Sequence, residues 1–189
     1  MMRMTSLRAL VGAGFLLLLA NSGYIAGFAS PTIFYMTNVL AHLVIGVVLA
    51  VLFAVLLVRD AEVRRATLLA VLPMAVSLGA AIYLVSVGNL REHAVVWKVH
   101  VVASAVGVAA LLPMAFSWMN RADGTRTFAR ALPVFAVFAL AFPLAAHKYQ
   151  QLYPTEQQAI VNPVKPPTSM DEEGGGPKSP FFPSSSKTN

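Results

Sequence analysis

The sequence contains no cysteine. This absence excludes disulfide bonds, thiolate metal sites, iron–sulfur clusters and covalently attached c-type haem within the chain. Charged residues are also scarce: they make up 12% of the chain, whereas soluble domains carry about 25%. The chain is 57% hydrophobic, and its mean hydropathy is +0.68. This composition indicates an integral membrane protein.

Apolar runs dominate the first four fifths of the sequence, and five of them are long enough to cross a bilayer, which takes about 20 helical residues. No acidic residue lies within these runs, which disfavours a transporter driven by protons or cations, because such a protein usually needs a carboxylate in mid-membrane. We therefore predict an all-α integral membrane domain of five transmembrane helices, residues 1–153. The predicted spans are Leu7–Phe28, Tyr35–Val58, Ala66–Gly88, Ala94–Trp118 and Phe128–His147.

The net charge of +6 comes from basic residues in the short loops between the apolar runs. This placement indicates membrane topology rather than nucleic-acid binding, because cytoplasmic loops carry an excess of Lys and Arg. The segment Gly88–Lys98, which joins the third run to the start of the fourth, contains two basic residues, Arg91 and Lys98. Eight basic residues lie in the N-terminal segment and in the connections after the second and fourth runs. This distribution predicts an N-terminus inside and a C-terminus outside. These eight are Arg3, Arg8, Arg59, Arg64, Arg65, Arg121, Arg126 and Arg130.

A change of composition at Pro154 marks a second region, residues 154–189. The segment is rich in Pro, Gly and Ser and has no helical or strand period, so it has too few large apolar groups to form a core of its own. We expect an extended tail on the outer, periplasmic side that docks on a partner protein. Phe181 and Phe182 are its candidate apolar anchors.

The four histidines all fall near the non-cytoplasmic ends of their predicted spans. His42 and His100 each lie about seven residues into a helix that enters from outside, which puts both roughly 10 Å below the outer surface. Two facing imidazoles at equal depth can supply both axial ligands of a haem b. His93 and His147 lie at the outer ends of their helices and form a candidate second pair.

Residues near the histidines fit the same hypothesis. Small residues beside His42 and His100 leave room for a flat macrocycle, although they equally permit close helix packing. Arg91 and Lys98 are candidate partners of the haem propionates, or simple interfacial cations. The alternative for the histidines is a neutral side chain that hydrogen-bonds a neighbouring helix, or a solvated side chain at the interface. The small residues are Gly46, Ala103, Ser104 and Gly107.

Three segments resemble the histidine-bearing helices of b-type cytochrome membrane subunits: NVLAHLVIG in the second span, HAVVWKVHVVASAVG in the fourth and AAHKYQ closing the fifth. The tail, NPVKPPTSMDEEGGGPKSPFFPSS, resembles the link between such a membrane region and a periplasmic multihaem c-type cytochrome domain in bacteria. Because no CxxCH motif follows, this chain would end before that domain or work beside a separate cytochrome.

The resemblance implies a multi-pass subunit of the bacterial inner membrane that binds one or two b haems near the periplasmic face. His42 with His100, and His93 with His147, would be the axial pairs. Such a subunit would pass electrons between quinol and a periplasmic cytochrome or other complex subunits, as part of a quinol:cytochrome oxidoreductase, and a quinone is a further candidate cofactor. The alternative function is a cofactor-free structural anchor of a respiratory or photosynthetic complex, and a transporter ranks third.

Overall fold

The structure, a computed structural model, describes residues 4–29 and 32–153. These residues form five long α-helices and one short 3-10 turn, Arg91–His93, and contain no β-strand. Each of the five helices is long and apolar enough to cross a membrane, which confirms the predicted all-helical class. The helices are α1 (Met4–Gly27), α2 (Ile33–Arg59), α3 (Ala61–Val87), α4 (Ala94–Trp118) and α5 (Thr125–Leu152).

Helix ends follow capping side chains more closely than they follow hydropathy. α3 begins at Ala61 rather than at Ala66, because the carboxylate of Asp60 accepts hydrogen bonds from the backbone N–H groups of Glu62 and Val63. Such a cap satisfies donors that the first helical turn leaves unpaired. At its other end α3 stops at Gly88, whose φ of +88° is a conformation that side chains with a Cβ rarely adopt.

Small residues let the helices approach one another closely, as is usual in membrane bundles. A Cβ added to Gly107 of α4 would lie 2.9 Å from the side chain of Met74 on α3. A Cβ added to Gly23 of α1 would lie 2.9 Å from Phe138 on α5. Helix α1 therefore packs against α5, and α3 packs against α4.

Contacts between helices define two ends of the bundle within the unit Met1–His147. At one end α1, α3 and α5 finish while α2 and α4 begin, as the ring contact of Tyr24 with Phe34 and that of Phe28 with Phe142 indicate. We call this the histidine end. At the opposite end, Arg8 near the start of α1 pairs with Asp60 in the α2–α3 connection. The helices thus alternate in direction along the chain.

The chain divides into two compact units, Met1–His147 and Lys148–Asn189. The predicted boundary after Tyr153 stays a prediction. The predicted tail, residues 154–189, lies outside the described residues, so its extended form and its docking stay predictions.

Candidate histidine site

Two of the four histidines come together near the histidine end of the bundle. The ring centroids of His42 on α2 and His100 on α4 lie 6.4 Å apart, and the ring planes are nearly perpendicular at 84°. Both side chains are half-buried. The two helices begin at the same end and run in the same direction, so the two residues lie at equal depth, and their rings meet at nearly a right angle.

The tautomer of His100 follows from its neighbours. Its Nδ1 lies 3.0 Å from the backbone carbonyl oxygen of Ser77 on α3 and 3.0 Å from the hydroxyl of the same residue. Because a carbonyl oxygen only accepts hydrogen bonds, the bond to it requires a proton on Nδ1. In the neutral imidazole the lone pair is then on Nε2. A neutral histidine can bind a metal through this nitrogen.

His42 has the same arrangement, with a longer contact. Its Nδ1 lies 3.4 Å from the hydroxyl oxygen of Ser22 on α1. The Ser22 hydroxyl donates its proton to the carbonyl oxygen of Leu18 at 2.7 Å, so it acts as acceptor towards the histidine. Nδ1 of His42 is therefore the donor, and its Nε2 also carries the lone pair.

Further polar side chains lie beside the pair, and of these the sequence predicted only Ser104, as a small residue and not as a hydrogen-bonding one. The hydroxyl of Ser104 donates to the carbonyl oxygen of His100 at 2.7 Å and lies 2.6 Å from the hydroxyl of Ser77. Asn21 donates to Asn38 at 2.9 Å between α1 and α2. Polar residues that recur at matching depths in otherwise apolar runs were the signal that would have found this layer.

The distance between the two rings fits a shared metal ion. Metal–imidazole nitrogen distances of ~2 Å place the centres of two rings on opposite sides of an ion roughly 6 Å apart, close to the 6.4 Å between His42 and His100. Among the described residues no group of three or more His, Cys, Asp or Glu side chains could hold a bare ion. The separation and the angle of the two rings are also those of an ordinary edge-on contact between aromatic rings.

The small residues near the histidines divide between two roles. A Cβ added to Gly46, one turn beyond His42, would meet no atom within 4 Å, so Gly46 is not in close contact with another helix. Gly107 and Ser104 on α4 serve helix packing instead, because Met74 fills the space at Gly107 and Ser104 hydrogen-bonds across to Ser77.

The second predicted pair has less to support it. The ring of His93 lies 5.5 Å from that of Tyr83, at 89°, and its Nε2 is 3.6 Å from the carboxylate of Glu92. His147 is exposed near the end of α5. The pairing of His93 with His147 stays a prediction.

The predicted propionate partners, Arg91 and Lys98, are both exposed. Lys98 lies two positions before His100, which places it about 200° around the helix axis. It lines a groove between α3 and α4, on the far side of α4 from the histidine pair. This position does not favour a role for Lys98 in binding a haem between α2 and α4, and the role of Arg91 stays a prediction.

An ion-pair cluster ties together the opposite end of the bundle. Arg8 donates to both carboxylate oxygens of Asp60, at 2.6 and 2.9 Å, and also pairs with Glu62 at 3.0 Å. Arg121, in the α4–α5 connection, pairs with Glu62 and lies over the ring of Trp118, 4.2 Å from its centroid. In the sequence these arginines indicate topology alone, since nothing there pairs them with residues more than 50 positions away.

The Asp60 carboxylate is almost fully buried, at 6% exposure. Burial alone raises the pKa of Asp60. The hydrogen bonds from Arg8 and from the backbone N–H groups of Val63 and Glu62, with the charge of Arg8, lower it by more, and the net pKa lies below its usual value. Asp60 is therefore ionised at neutral pH, and both its cap and its ion pair are in place.

Comparison with known proteins adds no identification: no protein family model matches the sequence, and neither the curated proteins nor the solved structures give a match.

Proposed function

We propose that this chain is a membrane electron-transfer subunit that holds a b-type haem between α2 and α4, with His42 and His100 as its axial ligands. The observation that carries the proposal is the pair of imidazoles with ring centroids 6.4 Å apart, each with Nδ1 bonded to a neighbouring helix, which leaves Nε2 free to bind a metal. A haem supplies one-electron iron chemistry, which the side chains of this sequence do not supply.

In this proposal the chain's own residues hold and orient the ligands. Ser77 fixes the ring of His100 through its carbonyl oxygen, and Ser22 fixes the ring of His42 through its hydroxyl. Such second hydrogen bonds set the tautomer and increase the basicity of the ligating nitrogen. The apolar walls of α2 and α4 restrict water, and low polarity around a haem is one factor that sets its reduction potential.

The histidine end belongs on the periplasmic side of a bacterial inner membrane in this proposal. The support is the eight-to-two distribution of basic residues, which places the opposite end in the cytoplasm. A haem near one face exchanges electrons with partners on that face, so the quinol would bind in the outer leaflet. The acceptor or donor would be a periplasmic multihaem cytochrome held by residues 154–189.

A reduced-minus-oxidised absorption spectrum of the purified full chain tests the haem directly. The wild type, expressed with adequate haem supply, is expected to show the bands of a six-coordinate low-spin b haem. His42→Ala and His100→Ala should each remove those bands, because each takes away one axial ligand, while the helices remain inserted. His93→Ala is the control, because His93 is not a proposed ligand of the haem between α2 and α4, and it should keep the bands of that haem. Wild-type bands in both the His42 and His100 variants would overturn the proposal.

The alternative is a structural anchor without cofactor, and one observation favours it. His100, Ser77 and Ser104 hydrogen-bond to one another across α3 and α4, so they already stabilise the packing of two helices without a ligand. Absence of b-haem bands from the wild type, under conditions that load a known b-type cytochrome, would favour this function.

A further inference from the structure

A shallow apolar groove runs along the outer surface of the bundle between α3 and α4. Its volume is about 620 Å³, and it lies on the side of α4 that faces away from His42. One wall comes from Leu69, Leu72 and Val76 of α3, and the other from Val95, Val102 and Val106 of α4. All six of these side chains are exposed, so the groove opens towards the surrounding lipid.

The lining of the groove is apolar apart from Lys98 near the histidine end. Neither the ammonium group of Lys98 nor the guanidinium of Arg91 has a hydrogen-bond or ion-pair partner in the part of the chain that the structure describes. Arg91 lies in the 3-10 turn that precedes α4 and Lys98 in the first turns of α4, so both cations are at the histidine end. The groove therefore combines an apolar channel with unpaired positive charge at one end.

The length of the groove matches a single leaflet. From Val95 to Val106 the rise along α4 is ~16 Å at 1.5 Å per residue, about half of the ~30 Å hydrocarbon core of a bilayer. Lys98 lies near the interfacial end of this stretch and Val106 towards mid-membrane. This is the arrangement of a phospholipid, with a charged headgroup at the surface and an acyl chain that reaches the bilayer centre.

We propose that this groove is a binding site for an anionic phospholipid, whose phosphate pairs with Lys98 and whose acyl chain lies along the α3–α4 groove, with Arg91 as a second cation for the headgroup. Basic residues beside apolar grooves between membrane helices bind anionic lipid headgroups in this way. An uncharged quinol would fit the apolar walls but would leave Lys98 without a counter-charge. The proposal stands on the groove and does not depend on the haem.

Native mass spectrometry of the purified, delipidated full chain can measure this binding, with phosphatidylglycerol and phosphatidylcholine of the same acyl chains as probes. The wild type should bind phosphatidylglycerol more tightly than phosphatidylcholine. Lys98→Gln should lower the affinity for phosphatidylglycerol about five-fold, and Lys98→Arg should retain it. Arg59→Gln, which removes an exposed cation at the opposite end, is the matched control and should behave as wild type.

A second variant tests the acyl-chain part of the site. Ala103 also lines the groove, and Ala103→Phe should fill it and weaken the binding of both lipids while Lys98 is intact. Equal wild-type affinity for the two lipids would overturn the proposal, as would equal losses in Lys98→Gln and Arg59→Gln. Displacement of phosphatidylglycerol by a quinone analogue, with affinity for the analogue unaffected by Lys98→Gln, would assign the groove to quinone instead.

Discussion

Nδ1 of His100 donates a hydrogen bond to the carbonyl oxygen of Ser77 at 3.0 Å, across the interface between α4 and α3. The acceptor is a backbone atom, so no side-chain substitution at position 77 removes it. The corresponding acceptor for His42 is the side-chain hydroxyl of Ser22. The two histidines therefore depend in different ways on the residues beside them.

This difference leads to a prediction about haem affinity. Ser22→Ala removes the hydroxyl that accepts from His42, and it should weaken haem binding about 10–100-fold, as the loss of a second hydrogen bond to a metal ligand typically does. Ser77→Ala keeps the carbonyl acceptor for His100 and should weaken binding much less. Haem titration of the apo-protein, followed by absorbance, measures both. Ser117→Ala, whose hydroxyl bonds only within α4 near the opposite end, is the control, and equal losses in all three variants would contradict the prediction.

A second prediction concerns the ion pair between Arg8 and Asp60. Asp60→Ala removes both the charged hydrogen bonds from Arg8 and the cap of α3, and should lower the free energy of unfolding by about 2–4 kcal/mol. Unfolding in mixed detergent micelles, followed by circular dichroism, measures the change.

A double-mutant cycle separates the two contributions of Asp60. Arg8→Ala removes the ion pair and keeps the cap, so the double variant Arg8→Ala/Asp60→Ala should be less destabilised than the sum of the single changes. Strict additivity would show that the pair contributes nothing beyond the cap.

The same residue predicts a pH dependence. The pKa of Asp60 in the folded protein is lowered, so its contribution to stability is fully present above the unfolded-state pKa of ~3.9. The contribution is lost as the pH falls through the folded-state value. The difference in unfolding free energy between the wild type and Asp60→Asn should therefore be constant near neutral pH and shrink below about pH 4. A difference that instead disappeared between pH 8 and pH 6 would assign the dependence to other groups.

Much of the fold follows from hydropathy, because a run such as that of α2 is apolar on every side and a bilayer favours its burial as a helix. The equal depth of His42 and His100 follows once the helices alternate in direction, whereas the contact between their rings does not. Hydropathy carries no information on which helix faces are in contact, so the roles of Ser22 and Ser77 were not predictable. The pairing of Arg8 with Asp60 was not predictable for the same reason. Topology rules count the charged residues in each connecting segment and do not say which of them pair.

Close packing of α1 on α5 gives a fourth prediction. A Cβ at Gly23 would lie 2.9 Å from the ring of Phe138 and 3.3 Å from the backbone Cα of Ala139. The ring can turn away but the backbone cannot, so Gly23→Ala should force α1 and α5 apart and lower stability by about 1–3 kcal/mol. The measurement is the unfolding midpoint in mixed micelles. Gly79→Ala on α3, where a Cβ would meet no atom within 4 Å, should leave the midpoint nearly unchanged, and matching losses in the two variants would argue against the α1–α5 contact.

The last prediction tests where a macrocycle would lie. Gly46 is one turn beyond His42, and the space beside it is open. If a haem occupies that space, Gly46→Leu should block it and lower haem occupancy strongly, while the apo-protein unfolds at the same midpoint as the wild type. Gly79→Leu is the matched control, because Gly79 is equally open but lies on α3, away from His42. Haem absorbance per protein and the unfolding midpoint together decide the outcome. A Gly46→Leu protein with full haem content would place the macrocycle elsewhere around the two histidines, and a lowered apo midpoint would show that the residue serves helix packing instead.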